Sequence, residues 1–494
     1  MKLKFFFTIL CLILSSCQVL NQKEPVGDQI PTGSSPKVSP GSIGKETDGA
    51  AIWTTLGPTL IFHDRLSSEN PIFLLDISTG DQYPLVIPKQ VTIPSLNRSL
   101  DKTRRYMVLV SRANNDEFGR SLLIFDLFSQ SVIHTISLSP SAVLDTELLN
   151  ARIPDDVMQL MSEQQLGNWM LLEGYDQSLD VFAWSEDSRH LFYINQCQEV
   201  FSCLYKYDLQ LRTSEQLEDE AYFVKSFSFS PGGNSILIQK SPLPQLVDFN
   251  ESNAFIINGG KTIQVSKSPL DPGTYLEYGW KSESELIIKL YDMQNQVYRS
   301  LSSLAVETLE VTEVTQAPFS DFAFTENHII LINDGDAISS SVSMLSSDLQ
   351  EMRTFEVKDN CSQILSSPSS DYSILIVCAN NVFGLSIANE LTLVSSVSGQ
   401  LLISPDQEHI LLVQSTPGSS DKRLLLFLKN FKLIRDYGQF DIAQIAWLPD
   451  SSGFLYFTKS GVFVTTLDGA IDQMLLQNRQ DDYFNLDFSW FKTE

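Results

Sequence analysis

The sequence predicts an all-β fold, a β-propeller made by repeating one short-stranded unit, and three observations predict it. First, a phrase ending in Trp or Phe recurs along the chain: Phe182-Ala183-Trp184-Ser185, Phe227-Ser228-Phe229-Ser230, Tyr278-Gly279-Trp280 and Ile445-Ala446-Trp447. Four of the six tryptophans, Trp184, Trp280, Trp447 and Trp490, fall at this one repeat position, which scattered core residues would not do. Second, equivalent positions near 184, 229, 280, 324, 366, 403, 447 and 490 lie 37 to 51 residues apart, the period of repeats that hold several short strands each. Third, Phe484-Asn485-Leu486-Asp487-Phe488-Ser489-Trp490 alternates apolar and polar residues and lacks the strands that follow the phrase elsewhere. Such a strand is expected to close a ring beside the first unit, which contains Leu60, Ile61 and Phe62. Adding a unit centred near Ser99, and counting the one that begins near Trp53 together with the strand at Trp490 that completes it, gives a tally of nine. The units near 324 and 366 are the weakest, so the expectation is about eight blades, within a range of seven to nine, over residues 51–494.

Within each unit the first strand carries the Trp/Phe phrase, a tight turn follows, and a strongly apolar strand comes next. Ser185-Glu186-Asp187-Ser188 leads to Leu191-Phe192-Tyr193-Ile194, and Pro231-Gly232-Gly233-Asn234 leads to Ile236-Leu237-Ile238. Pro405-Asp406-Gln407-Glu408 leads to Ile410-Leu411-Leu412-Val413, and Pro449-Asp450-Ser451-Ser452 to Phe454-Leu455-Tyr456-Phe457. Turn formers between apolar strands are a hairpin signal. A third strand often ends in aspartate, at Asp76, Asp126, Asp208 and Asp468. These carboxylates are expected to cap the following turn by accepting backbone N–H groups. The repeat tryptophans are expected to fill the widening gap between neighbouring blades.

The N-terminus has its own grammar. Lys2 and Lys4 precede the apolar run Phe5 to Leu14, too short to span a bilayer as a mature helix but suited to a signal-peptide core. The run ends in Leu14-Ser15-Ser16-Cys17. This resembles the bacterial lipoprotein signal, and the resemblance implies that residues 1–16 are removed and that Cys17 is lipidated as the mature N-terminus. Residues 17–50, with Pro25, Pro31, Pro36 and Pro40 among Gly, Ser and Lys, read as a flexible tether. At about 5–6 Å × √n its reach is about 30 Å. The chain is then expected to be extracytoplasmic, anchored to the cell membrane through the lipid only.

The clearest departure from the repeat is 140–178. Pro154-Asp155-Asp156 reads as a helix start, with proline in the first turn and acids at the positive end of the dipole. Val157, Leu160 and Met161 share one face. An inserted helical segment here would serve as a lid, as a docking face, or as an inert elaboration of the rim.

Composition narrows the partners. With 43% hydrophobic and 19% charged residues the chain can bury a large core, and a net charge of −26 repels nucleic-acid phosphates and anionic headgroups. No nucleic-acid partner is expected. Once Cys11 is removed with the signal and Cys17 is lipidated, four cysteines remain. Cys197 and Cys203 flank one hairpin tip, and Cys361 and Cys378 bracket two successive strands around the turn at Pro368-Ser369-Ser370-Asp371. Antiparallel pairing would bring each pair to one level, so Cys197–Cys203 and Cys361–Cys378 disulfides are expected outside the cytoplasm. The other reading is four buried free thiols.

Chemistry is hard to find. No two of His63, His134, His190, His328 and His409 lie within twenty residues of each other, and no Gly-x-Ser-x-Gly elbow occurs. Gly41-Ser42-Ile43-Gly44-Lys45 has Glu46 where a phosphate loop needs Ser or Thr. Asn333-Asp334-Gly335-Asp336 lacks the later ligands of a calcium loop and reads as a turn. No residues are assigned a catalytic, cofactor-binding or metal role, and no cofactor is expected.

The phrases Phe229-Ser230-Pro231-Gly232 and Leu204-Tyr205-Lys206-Tyr207-Asp208 resemble those of bacterial TolB-like and dipeptidyl-peptidase N-terminal propellers of the WD-repeat-like kind. In the peptidases of that group an α/β-hydrolase domain follows the propeller. The strand expected to close the ring lies at the end of the sequence, so no such domain is expected and the resemblance is not expected to carry over activity. The expected function is a tethered binding or scaffold module for a protein or envelope-polymer partner, engaged through the propeller loops. Two alternatives stand beside it: a glycan-active lyase or hydrolase with its site at the central channel mouth, and a ligand sensor, which would need a second component. Acids converging with His or Arg at one channel mouth would favour the enzyme; a broad apolar patch near 140–178 would favour docking.

Overall fold

In a computed structural model, residues 59–492 are described except 65–71, 89–90, 94, 113–119, 139–181, 199–200, 219–222, 242–252, 267–273, 326–327, 334–338, 347–350, 398, 416–419, 459, 470–471 and 478–485. The signal segment, the tether, Cys17 and the expected helical insertion at 140–178 all lie outside the described residues. The described part is nearly all β, with one short helix, Leu96–Ser99. Its strands form five four-stranded and two eight-stranded sheets. Each eight-stranded sheet is two antiparallel four-stranded units joined at one residue pair, Ser202 with Phe223 in one and Tyr298 with Phe319 in the other. Among the described residues there are therefore nine four-stranded units. In chain order, the second to ninth occupy 91–138, 182–216, 223–266, 274–315, 319–357, 361–395, 400–440 and 442–477.

The first unit is assembled from both ends of the described chain. Thr59–Asp64, Ile72–Asp76 and Gln82–Pro84 supply three strands, and Leu486–Lys492 pairs antiparallel with Thr59–Asp64 as the fourth. Leu60 faces Trp490 in this ladder, and Phe62 faces Phe488. Phe488 stacks on Phe457 of the ninth unit at 4.7 Å between ring centres.

Continuous apolar runs become strands because both of their faces are buried. In His409–Ser415, Ile410 and Leu412 join a core cluster with Leu375 and Val377 of the seventh unit. Leu411 and Val413 point the other way, into a cluster with Trp447 and Phe454 of the ninth. The same alternation repeats along the chain, so a buried cluster lies between each unit and the next, and another between the ninth and the first. Each fully buried Leu, Ile or Phe adds about 1.5–3 kcal/mol of hydrophobic stabilisation.

The turns after the first strands share one backbone device. Counted from Asp101, Ser185, Ser230, Ser404 and Leu448, the fourth residue takes a left-handed conformation, with φ of 59° at Arg104, 56° at Ser188, 75° at Gly233, 60° at Gln407 and 61° at Ser451. Glycine occupies that position only once, and local hydrogen bonds compensate the others. Ser185 and Ser404 each accept the backbone N–H of the residue five places on and donate to the aspartate two places on. The turns are also tied to one another. Ser188 accepts from the Thr103 amide, Ser451 accepts from the Asp406 amide, and Glu283 binds Ser230 and the Gly232 amide.

The second unit departs from the expected pattern. In place of a full inner strand near Ser99 it has the two-residue strand Val91–Thr92 followed by Leu96–Ser99 as a helical turn. Leu96 and Leu100, four apart, are both buried, so the turn sinks an apolar edge that a strand would have split between two faces.

Candidate functional site

The repeat tryptophans are placed by the first strands and act between units. The Trp184 indole N–H donates to the Ser99 carbonyl at 3.0 Å, Trp447 to Leu402 at 2.9 Å and Trp280 to Ser228 at 3.4 Å. In each case the acceptor belongs to the preceding unit, so the gap-filling ring also ties neighbouring units together. The strand-ending aspartates cap turns. Asp76 accepts from the Ser78 and Thr79 amides, Asp126 from Phe128 and Ser129, and Asp208 from Gln210 and Leu211. Asp468 accepts the Thr466 hydroxyl.

Both cysteine pairs are bonded. Cys361 and Cys378 are direct cross-strand partners with Cα atoms 3.7 Å apart. Cys197 and Cys203 have Cα atoms 5.6 Å apart, but a register shift near the tip sets Cys203 opposite Asn195. Asn333, from the sequence weighed as a calcium loop, spends its amide on Ser341 and Ser343, and no group of three metal-ligating side chains occurs among the described residues.

Three polar constellations escaped the sequence reading. Lys240 of the fourth unit and Glu218 of the third form an ion pair whose side chains are 0% and 1% exposed. The Lys240 ammonium also lies 4.6 Å from the centre of the Phe255 ring, and burial pushes it down to about 8. On the fifth unit, Glu277 accepts from Lys289 at 2.5 Å, Tyr298 at 3.0 Å and Tyr275 at 3.1 Å. Burial pushes this carboxyl up, but the Lys289 hydrogen bond and charge and the two hydroxyls outweigh it, holding Glu277 below the usual carboxylate range. Burial and the Glu277 charge push the Tyr275 phenol up to about 12, and burial raises the Asp321 carboxyl nearby. The lysine and both phenols are committed to neighbours, which makes the cluster a closed polar wedge on the fifth unit, where Tyr298 stacks on Phe319 of the sixth.

The third constellation is open. A cavity of about 510 Å³ lies among the innermost strands of the eighth, ninth and first units, with Val413 and Lys422 on the eighth unit's second and third strands and Asn97 and Arg104 in and just after the helical turn of the second. Arg104 and Lys422 are the ionisable residues on its wall, with Asn97, Gln400 and Gln444 as amides and Trp490 and Phe488 as aromatic rings. Burial draws the Arg104 guanidinium below its ordinary value, against the opposing charge of Asp101. A second cleft, of about 630 Å³, separates the second and third units on the turn side and holds Arg105, His134, Arg189 and His190 with Asp187 and Asp208. Arg105 is committed to Asp126, and His190 sits 3.8 Å from Asp187 and 3.5 Å from Asp208. Burial and the Arg212 charge lower His134. The His and acid residues of this cleft are therefore an inter-unit groove, not part of the inner-strand cavity.

The fold and its cavities define a propeller-like protein of repeated antiparallel four-stranded sheets. No known protein family matches the chain, and no curated protein sequence matches it. Among solved structures it is similar to a eukaryotic initiation factor, at 10% identity and a TM-score of 0.43 over 88% of this chain and 99% of that one. It is also similar to Porphyromonas gingivalis dipeptidyl peptidase 4, at 10% identity and 0.45 over 82% and 63%. An oligogalacturonate lyase in complex with manganese is similar at 9% identity and 0.35 over 82% and 94%. Among the described residues no helix is long and apolar enough to cross a membrane.

Proposed function

We propose that this chain is an extracytoplasmic binding module: one β-propeller closed by its last strand, tethered to the cell membrane through a lipid on Cys17, that engages a protein or envelope polymer. Nine blades is the count we favour, supported by nine four-stranded units and nine buried clusters that link each unit to the next and the last to the first. The observation that carries the binding reading is the inner-strand cavity, whose amides and cations have no side-chain hydrogen bond or ion pair to a described residue, unlike the Lys240–Glu218 pair and the Glu277 cluster. The two disulfides fit a compartment outside the cytoplasm.

Affinity capture from solubilised envelopes, with the anchor intact, tests the function. Saturable enrichment of a protein or polymer over a mock capture is expected. Release of shortened or unsaturated glycan products by the purified chain would replace this reading with the glycan-active lyase or hydrolase. Cys17→Ser should move the protein to the soluble fraction; retention in the membrane would remove the lipid anchor from the proposal. A chain ending at Asp482 loses the strand that pairs with Thr59–Asp64 and should be markedly less stable or soluble, because two sheet edges are then exposed. Melting at the wild-type temperature would show that the units are not closed in this way.

A further inference from the structure

We propose that the inner-strand cavity binds an acidic saccharide, with its carboxylates on Arg104 and Lys422, its hydroxyls on the three amides and one ring face against Trp490. This rests on the binding reading above and names the ligand class for that site.

Charge is the first argument. In a chain of net charge −26, nine described cations have a carboxylate within 4.0 Å: Lys102, Arg105, Arg189, Lys240, Lys281, Lys289, Arg299, Arg423 and Lys429. Arg104 and Lys422 are half-buried, yet no described carboxylate lies within that distance of either. Asp101, the acid nearest Arg104 in the chain, spends its oxygens on Thr103 and on the Tyr106 amide. Asp421 and Asp441, close to Lys422 and Ile442 in the chain, have partners of their own. A cation taken partly out of water without a partner is unfavourable, and a bound anion offsets that cost.

Hydrogen-bonding chemistry is the second. Asn97 and Gln444 are exposed, and with Gln400 they line the same cavity without a side-chain hydrogen bond to any described residue. A primary amide both donates and accepts, which matches a hydroxyl better than it matches a phosphate. The third is the aromatic wall. Trp490 and Phe488 stand two apart on one strand and therefore on one face, and both line the cavity. Both rings pack against the core between the ninth and first units, and Phe488 also stacks on Phe457, so it is the half-exposed part of Trp490 that offers the cavity a surface for the apolar face of a sugar ring. At about 510 Å³ the space falls within the range of roughly 300–1,000 Å³ typical of small-ligand sites.

The test is titration of the full-length protein in detergent, read by calorimetry and by tryptophan fluorescence. The probes are trigalacturonate, neutral maltotriose and inorganic phosphate. Trigalacturonate should bind and quench fluorescence, with an affinity that falls as salt rises, and maltotriose should bind at least tenfold more weakly. Arg104→Gln with Lys422→Gln should lower trigalacturonate affinity at least tenfold without moving Tm. If that pair does lower Tm, Gln444→Ala, which removes an exposed side chain, should still weaken binding severalfold. Equal binding of maltotriose, phosphate binding as tight as that of trigalacturonate, or unchanged affinity in the double variant at wild-type Tm would each overturn the proposal. Absence of trigalacturonate binding alongside saturable capture from envelopes would sink this ligand class and leave the binding reading standing; failure of the capture itself would count against the reading.

Discussion

The wedge on the fifth unit and the cavity of the innermost strands are built from similar materials, a cation, polar side chains and aromatic rings. They differ in one respect. In the wedge a single carboxylate, Glu277, absorbs Lys289, Tyr298 and Tyr275. In the cavity, Arg104, Lys422 and three amides share a space with no carboxylate among its described lining residues. The same residue types therefore act as cement in one place and as an open polar surface in the other. What separates them is whether the partner is supplied by the chain itself.

That distinction predicts an order of mutational effects on stability. The largest belongs to the buried Lys240–Glu218 pair. Lys240→Met strands a carboxylate in the interior and should cost about 3–5 kcal/mol. Adding Glu218→Leu should recover most of the loss, leaving about 1 kcal/mol for the Leu204 amide that Glu218 accepts. Chemical denaturation of the two variants measures both numbers, and a double variant no better than the single would mean that the pair is not the source of the loss.

The wedge comes next. Glu277→Gln removes the charge that Lys289 faces, and because a third of the Glu277 side chain is exposed, water softens the loss to about 1–2 kcal/mol. The sign with pH follows from its lowered folded value. The carboxylate contributes fully above the ordinary Glu range and loses its contribution as pH falls through the folded value. The gap between wild type and Glu277→Gln should therefore be widest near neutrality and close in acid; a gap that widened in acid would contradict the wedge.

The smallest effect is expected in the cavity. Arg104→Gln with Lys422→Gln breaks no described ion pair and should change stability by less than about 0.5 kcal/mol. A loss as large as that in the wedge would show that these cations are already cemented and would erase the contrast.

Much of the fold was legible because its signals are local. The alternation of Phe488, Ser489 and Trp490 marked a half-buried strand, and that strand does pair beside Leu60, Ile61 and Phe62. Asp76, Asp126 and Asp208 announced turns because a short carboxylate reaches backbone N–H groups two and three residues on. The Cys361–Cys378 pair was legible for the same reason, since a hairpin sets which residues face each other, whereas the register shift beside Cys203 was not, although Cys197 and Cys203 still bond across the tip. The helical turn at Leu96–Ser99 was not, because a four-residue stretch carries too little periodicity to separate helix from strand. Nor were the polar constellations, since a lone Lys240, Glu277 or Arg104 has the same local sequence whether paired or not.

The sequence by itself determined the repeat, the strands and their turns, the level at which Cys361 meets Cys378 and the partner of the last strand. Each follows from side-chain period and turn chemistry within a few dozen residues. The tertiary structure alone decided which polar groups are spent. Lys240 meets Glu218 across two units, and the Trp447 indole finds the Leu402 carbonyl 45 residues away. Asn97 and Arg104 come to share a cavity with Gln444 and Trp490, far along the chain. The physical reason is that a hydrogen bond or ion pair depends on where its partner lies in space and on how much water is excluded there. Neither quantity exists until the sheets have packed.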